Sequence, residues 1–379
     1  MDTITLANIF VPLSAAVTSF VIVSLYLFYS KDKWQNRTVN ILWFYFICCI
    51  VNWSSILFYF YVPNVFVVLN SIVLFTFVAV QVLFYKILFS LTKVDAGERF
   101  SNFHFLVPTV LFLFLSILML VTPYEYQLQS VLGQGRYTGG SYLFFVVSNS
   151  KMPIRLLFSV FYTVLSFARL HAYRKRVVHY SANYDKSSLQ WVNTYLLLSI
   201  SLIPIPLMGI ILSRGEAAAS VFLSVQNLLI LFQYAFLCFH IVRQNYIYLD
   251  DKSLPNHSAN LSTAIPEPET GQVVEQYARV KLTKAEFESY IAQSKPYLNS
   301  DLRLTDIAAD LNTNRTYLST FINGEYGVNF NRLINRYRLQ ELERIRQLCP
   351  SNGKSEKEMV EEVGFGSYKN YRRFISQKD

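Results

Sequence analysis

The chain has 379 residues, 53% hydrophobic and 16% charged, with a mean hydropathy of +0.28, a balance that excludes a single soluble globular domain. The net charge of +9 is unevenly spread: residues 1–243 carry +9, 244–277 carry −4 and 278–379 carry +4. Charged residues fill 23 of the first 243 positions and 30 of the last 102, so an apolar half suited to lipid is joined to a polar half by an acidic connector.

The first apolar run, Leu6 to Tyr29, lacks the basic leader of a secretory signal and is too long for its apolar core, so it reads as a retained span. Crossing the hydrocarbon core takes about 20 mostly apolar residues. Seven stretches qualify: 6–29, 39–61, 65–90, 104–121, 153–172, 191–212 and 218–242. One set of connecting loops carries Lys31, Lys33, Arg37, Lys93, Arg99, Arg174, Lys175, Arg176 and Lys186, and the other only Arg136, Lys151 and Arg214. The excess of Lys and Arg marks the cytoplasmic side, which predicts a multi-pass protein of the cytoplasmic (inner) membrane with its N-terminus outside and everything after Arg243 in the cytoplasm.

The acidic residues of this half, Asp2, Asp32, Asp95, Glu98, Glu125, Asp185 and Glu216, all fall in loops or the tail, which argues against a proton-coupled transporter. Asn52, Asn70, Gln81, Asn193, Gln226, Asn227 and Gln233 lie inside spans and are expected to hydrogen-bond between helices rather than line a pocket. Arg155 sits one turn inside the outer edge of the fifth span. It is expected to snorkel toward headgroups, the alternative being a counter-charge for an anionic ligand. Pro204 and Pro206 remove two backbone donors from the sixth span and predict a kink. The outer loop 122–152, with Tyr124, Tyr126, Tyr137 and Tyr142 around a Gly-rich GQGRYTGG run, is either a connector or a binding lid.

His104, His171, His179 and His240 have no metal-ligand spacing, Cys48, Cys49, Cys238 and Cys349 have neither disulfide nor zinc spacing, and no Ser, His and acid set is assembled on the spans. The expectation is therefore no catalytic residues, no metal and no cofactor.

Residues 244–277 are rich in Ser, Asn, Pro and Glu without a helical apolar period and read as a flexible linker. Beyond them, Ile307, Ala308 and Leu311 recur 52 residues later as Met359, Val360 and Val363, and Leu318, Phe321 and Ile322 recur 53 residues later as Tyr371, Phe374 and Ile375. Each unit is helix, short turn, helix, with apolar side chains at i, i+3 and i+4 holding the second helix on the first. Asn312 and Gly364 suit the positive φ such turns require, and Asn314 and Ser367 are expected N-caps. Between the units, 329–348 predicts a helix of about 30 Å, close to the roughly 34 Å between successive major-groove faces on one side of a duplex.

The segment LTDIAADLNTNRTYLSTFINGEYGVNFNRLINRYRLQELERI (304–345), followed by EEVGF and a basic aromatic helix, resembles the DNA-binding domain of AraC-type transcription regulators. The likeness covers about the last 100 residues and rests on the NRTYLS, GVNF and RYRL segments and on the GF before the last helix. Val360, Ile375 and Ser376 stand where that family usually has Ala, Phe and Lys. The resemblance implies a transcription factor that grips double-stranded DNA with two recognition helices as a homodimer, and says nothing about 1–243.

On the first recognition helix Arg315, Thr316, Tyr317, Ser319 and Thr320 are expected to face outward, within reach of base edges or backbone. On the second, Tyr368, Lys369, Asn370, Arg372 and Arg373 are the expected exposed set, with Lys369, Arg372 and Arg373 on phosphate. On the linking helix Arg332, Arg336, Arg338, Arg344 and Arg346 either form a solvated face or add phosphate contacts.

The predicted fold class is all-α: a seven-helix integral membrane bundle (1–243), a linker (244–277) and a soluble double helix-turn-helix domain (278–379). The expected function is a membrane-anchored sequence-specific transcription regulator, with the lipid bilayer, duplex DNA and a small-molecule or peptide signal as partners. A transporter or channel with an accessory cytoplasmic domain is the alternative, and a protein- or lipid-docking module a third reading.

Overall fold

The computed structural model describes residues 3–30, 35–94, 97–243, 246, 282–348 and 354–376. The linker expected over 244–277 therefore lies, apart from Tyr246, outside the described residues. Among these the fold is all-helical without a strand, and seven helices are long and apolar enough to cross a bilayer, as expected of an integral membrane protein. The chain divides into two compact units, one of 1–92, 99–171 and 190–246, the other of 93–98, 172–189 and 247–379.

The first unit is built from α1 (Thr3–Tyr29), α2 (Gln35–Tyr61), α3 (Pro63–Leu91), α4 (Leu106–Val121), α5 (Tyr124–Leu132), α6 (Tyr142–Asn149), the body of α7 (Lys151–Val177), and, past α8 (Tyr184–Ser187) of the second unit, α9 (Gln190–Ser201), α10 (Pro204–Ile211), α11 (Arg214–Ala218) and α12 (Val221–Val242). These sequences are apolar all round, so propensity alone does not choose which face turns inward. Uncharged polar side chains mark it. Thr76 Oγ1 donates to Asn52 Oδ1 at 2.6 Å, Gln81 Nε2 to Ser159 Oγ at 3.1 Å, Gln233 Nε2 to Ser199 Oγ at 2.8 Å and Asn227 Nδ2 to Asn8 Oδ1 at 3.1 Å. Each joins two helices where lipid offers no partner, as the sequence predicts for Asn52, Gln81, Asn227 and Gln233, while Gln81 and Gln233 also line a cavity, against the expectation. α3 packs against α2 and α4 and is the most enclosed span, whereas Leu113, Ile117 and Leu120 of α4 and Leu157, Phe161 and Val164 of α7 remain exposed, as expected of surfaces solvated by acyl chains.

The sixth span is interrupted at Leu202 and Ile203, and Pro204 starts a new helix, so the two prolines break it where a kink is expected. The 122–152 loop differs from a bare connector: it folds into α5 and α6, with Ser141 capping α6.

The second unit contains α13 (Lys284–Ser294), a 3₁₀ turn at Pro296–Leu298, α14 (Leu304–Asp310), α15 (Arg315–Tyr326), α16 (Phe330–Leu348), α17 (Glu356–Glu362) and α18 (Tyr368–Ser376). Thr283 with Glu286, and Ser355 with Glu358, form reciprocal capping boxes that satisfy the first orphan amides of α13 and α17. Two cores sit along α16. Leu333 and Ile334 join Phe287, Ile307, Ala308, Leu318 and Ile322, while Leu339 and Leu342 join Val360, Val363, Phe365 and Tyr371. These are the repeated apolar sets of the sequence, each closed by the linking helix.

Candidate nucleic-acid interface and its packed loops

Both turns between the paired helices take the conformation their residues favour. Asn312 has φ +48° and Gly364 has φ +92°. A Cβ at Gly364 would also fall 2.3 Å from the Tyr297 carbonyl oxygen, so glycine is required there twice over. The Asn314 side chain accepts from the Tyr317 amide at 2.8 Å, and Ser367 Oγ accepts from the Asn370 amide at 3.1 Å, the two expected N-caps. α15 and α18 thereby start at fixed points, with Leu318 and Ile322 buried under the first and Tyr371 under the second.

The expected outward residues do not all face out. On α15, Thr316 and Thr320 are exposed, whereas Arg315, Tyr317 and Ser319 are half-buried. The Tyr317 hydroxyl accepts from the Leu282 amide at 3.0 Å. Arg315 Nη1 donates to the Val94 carbonyl at 2.5 Å, and its guanidinium lies 5.5 Å from the Tyr180 ring centroid. On α18, Lys369 and Arg372 are exposed, while Tyr368 and Arg373 are half-buried. The Tyr368 hydroxyl donates to Glu356 Oε2 at 3.0 Å. Asn370, placed in the exposed set, is 3% exposed instead. It stands four residues before Phe374 and so shares the face that Phe374 turns to the core.

Arg338 also departs from both sequence readings. It is completely buried, with Nε donating to the Tyr297 carbonyl at 2.8 Å, Nη1 to the Ala182 carbonyl and Asn335 Oδ1 at 3.0 Å each, and Nη2 to the Asn299 carbonyl at 2.7 Å. A buried guanidinium is tolerated when its donors are spent, and here they tie three stretches of chain together. Arg344 and Arg346 pair with Glu341 at 2.6 Å and Glu356 at 2.5 Å, and Arg344 is exposed together with Arg332 and Arg336.

Residues 172–189, the end of α7 together with α8 and the turns around it, are part of this unit, a feature the sequence reading missed. The Ala182 amide donates to the Leu302 carbonyl and the Leu304 amide to the Tyr180 carbonyl, both at 3.0 Å, forming an antiparallel bridge between Ser181 and Arg303. Asn331 Nδ2 reaches the Ser181 carbonyl at 2.9 Å, and Asp301 accepts from Asn183 Nδ2 at 2.9 Å and Lys186 Nζ at 2.7 Å. Ala182 is fully buried in the core around α14 and α15. The loop is held in shape by Tyr173, whose hydroxyl donates to the Ser187 carbonyl at 2.7 Å, and by Arg174, which donates to the Ser188 carbonyl at 2.8 Å and the Leu189 carbonyl at 3.1 Å. Its length was the available signal, because structureless loops beyond about a dozen residues are uncommon in compact proteins.

No family model matches this chain, and neither a curated protein nor a solved structure does.

Proposed function

We propose that this protein is a membrane-integral transcription regulator whose second unit binds duplex DNA with α15 and α18. The carrying observation is the repeat: two helix pairs with matching cores, matching N-caps and a left-handed residue in each turn, set on one helix of 19 residues. At 1.5 Å per residue that helix is about 29 Å long, a spacing suited to presenting two second helices to successive major grooves. The likeness of 304–345 to AraC-type DNA-binding domains supports the same reading. Thr316, Thr320, Lys369 and Arg372 are the exposed contact residues, and Arg315, Tyr317, Ser319, Tyr368 and Arg373 complete the set at the margins.

The proposed topology puts this unit in the cytoplasm, with the N-terminus outside. Support comes from two sides: basic residues concentrate in one set of loops, and two of those loops, 93–98 and 172–189, pack into the same unit as 282–376. In this reading the described arrangement is a resting one, because Arg315 is spent on Val94 and Tyr180. A signal received by the membrane unit shifts the loops and frees Arg315 for DNA. Such a signal moves the equilibrium only by its differential affinity for the two states.

Selection from a random duplex pool by the full-length protein in nanodiscs tests the DNA reading. The expected product is a bipartite site with half-elements about one helical turn, 10–10.5 base pairs, apart. Recovery of unenriched sequence, with binding that depends only on salt, would overturn it in favour of a docking module.

A further inference from the structure

Three cations of the membrane unit that no carboxylate neutralises among the described residues surround one cavity. Lys151 and Arg155 lie four residues apart on α7 and therefore on one face, and Arg214 opens α11. All three line a cavity of about 120 Å³ whose remaining wall is mainly apolar and aromatic, including Trp53, Tyr59 and Phe77. Arg155 and Trp53 also line a neighbouring cavity of about 70 Å³, with Gln81, Gln233 and Tyr234. Arg155 thus turns to the interior of the bundle rather than snorkelling outward.

What holds these side chains is neutral. Lys151, 2% exposed, donates from Nζ to Asn70 Oδ1 and lies 5.2 Å from the Phe66 ring centroid. The Arg155 guanidinium lies 4.9 Å from the Phe77 ring and that of Arg214 5.0 Å from the Tyr59 ring, with Arg214 Nη2 donating to Asn149 Oδ1 at 2.7 Å. Among the described residues none of the three has an ion pair and no acidic side chain lines either cavity. The acids described in this unit, Glu125 and Glu216, are both exposed, and Glu216 is engaged in the capping box of α11.

Gathering like charges in a low-dielectric interior is costly, and ring faces and amide oxygens offset only part of that cost. An anion entering the cavity removes it. The apolar walls select what the anion carries, and a cavity of this scale matches a benzene-sized body. We infer that the space bounded by Lys151, Arg155 and Arg214 is a binding site for a small amphipathic carboxylate, its charge on the three cations and its compact aromatic or short alkyl body against Trp53, Tyr59 and Phe77. The site supplies the membrane unit with a ligand class and does not depend on the DNA-binding reading.

The test uses the full-length protein in phosphatidylcholine nanodiscs, with Trp34, Trp43 and Trp191 changed to Phe so that Trp53 reports. Phenylacetate and hexanoate are the probes, and phenylacetamide is the neutral control. A saturable change in Trp53 emission with the acids, at least about tenfold weaker with the amide, is expected from the loss of charge-assisted hydrogen bonds. Arg155→Gln should weaken the acids by about tenfold to a hundredfold and Arg155→Lys by less. Should Arg155→Gln fail to give a monodisperse protein, Lys151→Gln and Arg214→Gln carry the same expectation. Equal affinity for acid and amide, unaltered affinity in folded charge-removal variants, or no response to either acid at millimolar concentration would overturn the site. Loss of phenylacetate binding in phosphatidylglycerol nanodiscs would overturn the free acid and assign the cations to a lipid headgroup. Because no DNA is present, failure here leaves the transcription reading untouched, and failure of sequence selection leaves this site untouched.

Discussion

Arg315 and Arg338 are both arginines of the polar unit, and their surroundings give them different roles. Arg338 is wholly buried and bonded to three backbone carbonyls, and burial pushes its pKa below the ordinary guanidinium value to about 9, so at neutral pH it is still charged. Arg338→Met strands those carbonyls, each unsatisfied buried group costing about 1–3 kcal/mol, and should lower the melting temperature of the unit without altering DNA preference in the protein that remains folded. Arg315 stands at the first turn of α15, where the proposed function puts base edges within reach. Arg315→Ala should relax discrimination at one base position by about 1–3 kcal/mol, whereas Arg372→Ala, exposed on α18, should weaken all sequences alike and reduce the salt slope by about one. Titrations of selected and random duplex at several salt concentrations separate the two outcomes, and equal losses on both duplexes for Arg315→Ala would make it a positioning residue. The carboxylates of the caps set the acid limit of the unit. The backbone and hydroxyl of Ser355 hold Glu358 below the usual carboxylate range, those of Thr283 do the same for Glu286, and Arg344, with Lys295, does so for Glu341. Depressed folded-state pKa values stabilise the fold above the unfolded value and lose that contribution as pH falls through the folded one. The melting temperature should therefore be flat from neutral pH to about 5 and decline below about 4.5, and Ser355→Ala should make that decline shallower. An unchanged profile in Ser355→Ala would remove the cap as its cause.

At the scale of elements, the helices of the polar unit were legible because each carries a local signal the fold then uses. The 52- and 53-residue offsets align Ile307 with Met359 and Leu318 with Tyr371, and the four sit in the two corresponding cores. Asn312 and Gly364 were readable as turns because few residues accept positive φ. Leu318→Ala, at a completely buried position, should cost about 2–5 kcal/mol, and Gly364→Ala should be destabilising despite its small volume, because both φ and the Tyr297 carbonyl forbid a Cβ. Thermal unfolding of the full-length protein in nanodiscs checks both. A Gly364→Ala protein as stable as the parent would show that the turn can relax. What stayed illegible depends on partners distant in the chain. Arg338 and Asn370 look like surface residues because polar side chains usually are, and only their tertiary neighbours decide otherwise. The bridge from Ser181 to Arg303 joins segments 122 positions apart in the chain, and neither shows a strand pattern. In the membrane unit the helices were evident from composition, but the inward turn of Arg155 was not, since a span that is apolar all round does not declare its face.

At the scale of the whole molecule, seven spans are more than an anchor requires; the surplus accommodates the inferred anion site, and under the proposed function the loops between spans hold the recognition helix until they shift. Asp301→Asn loosens the 172–189 segment, and Tyr180→Ala also removes the ring that holds Arg315, so both should raise affinity for the selected duplex. Unchanged or lower affinity in folded variants would contradict the resting-state role of the loop. A C-terminal alkaline phosphatase fusion should be inactive, and one within 133–140 active, under the proposed topology. The most direct measurement is chromatin immunoprecipitation with sequencing of the full-length protein in its own cell. The account predicts discrete promoter peaks sharing a two-part motif that Arg315→Ala blurs, and a flat profile from a protein confirmed to be present in the membrane would contradict it.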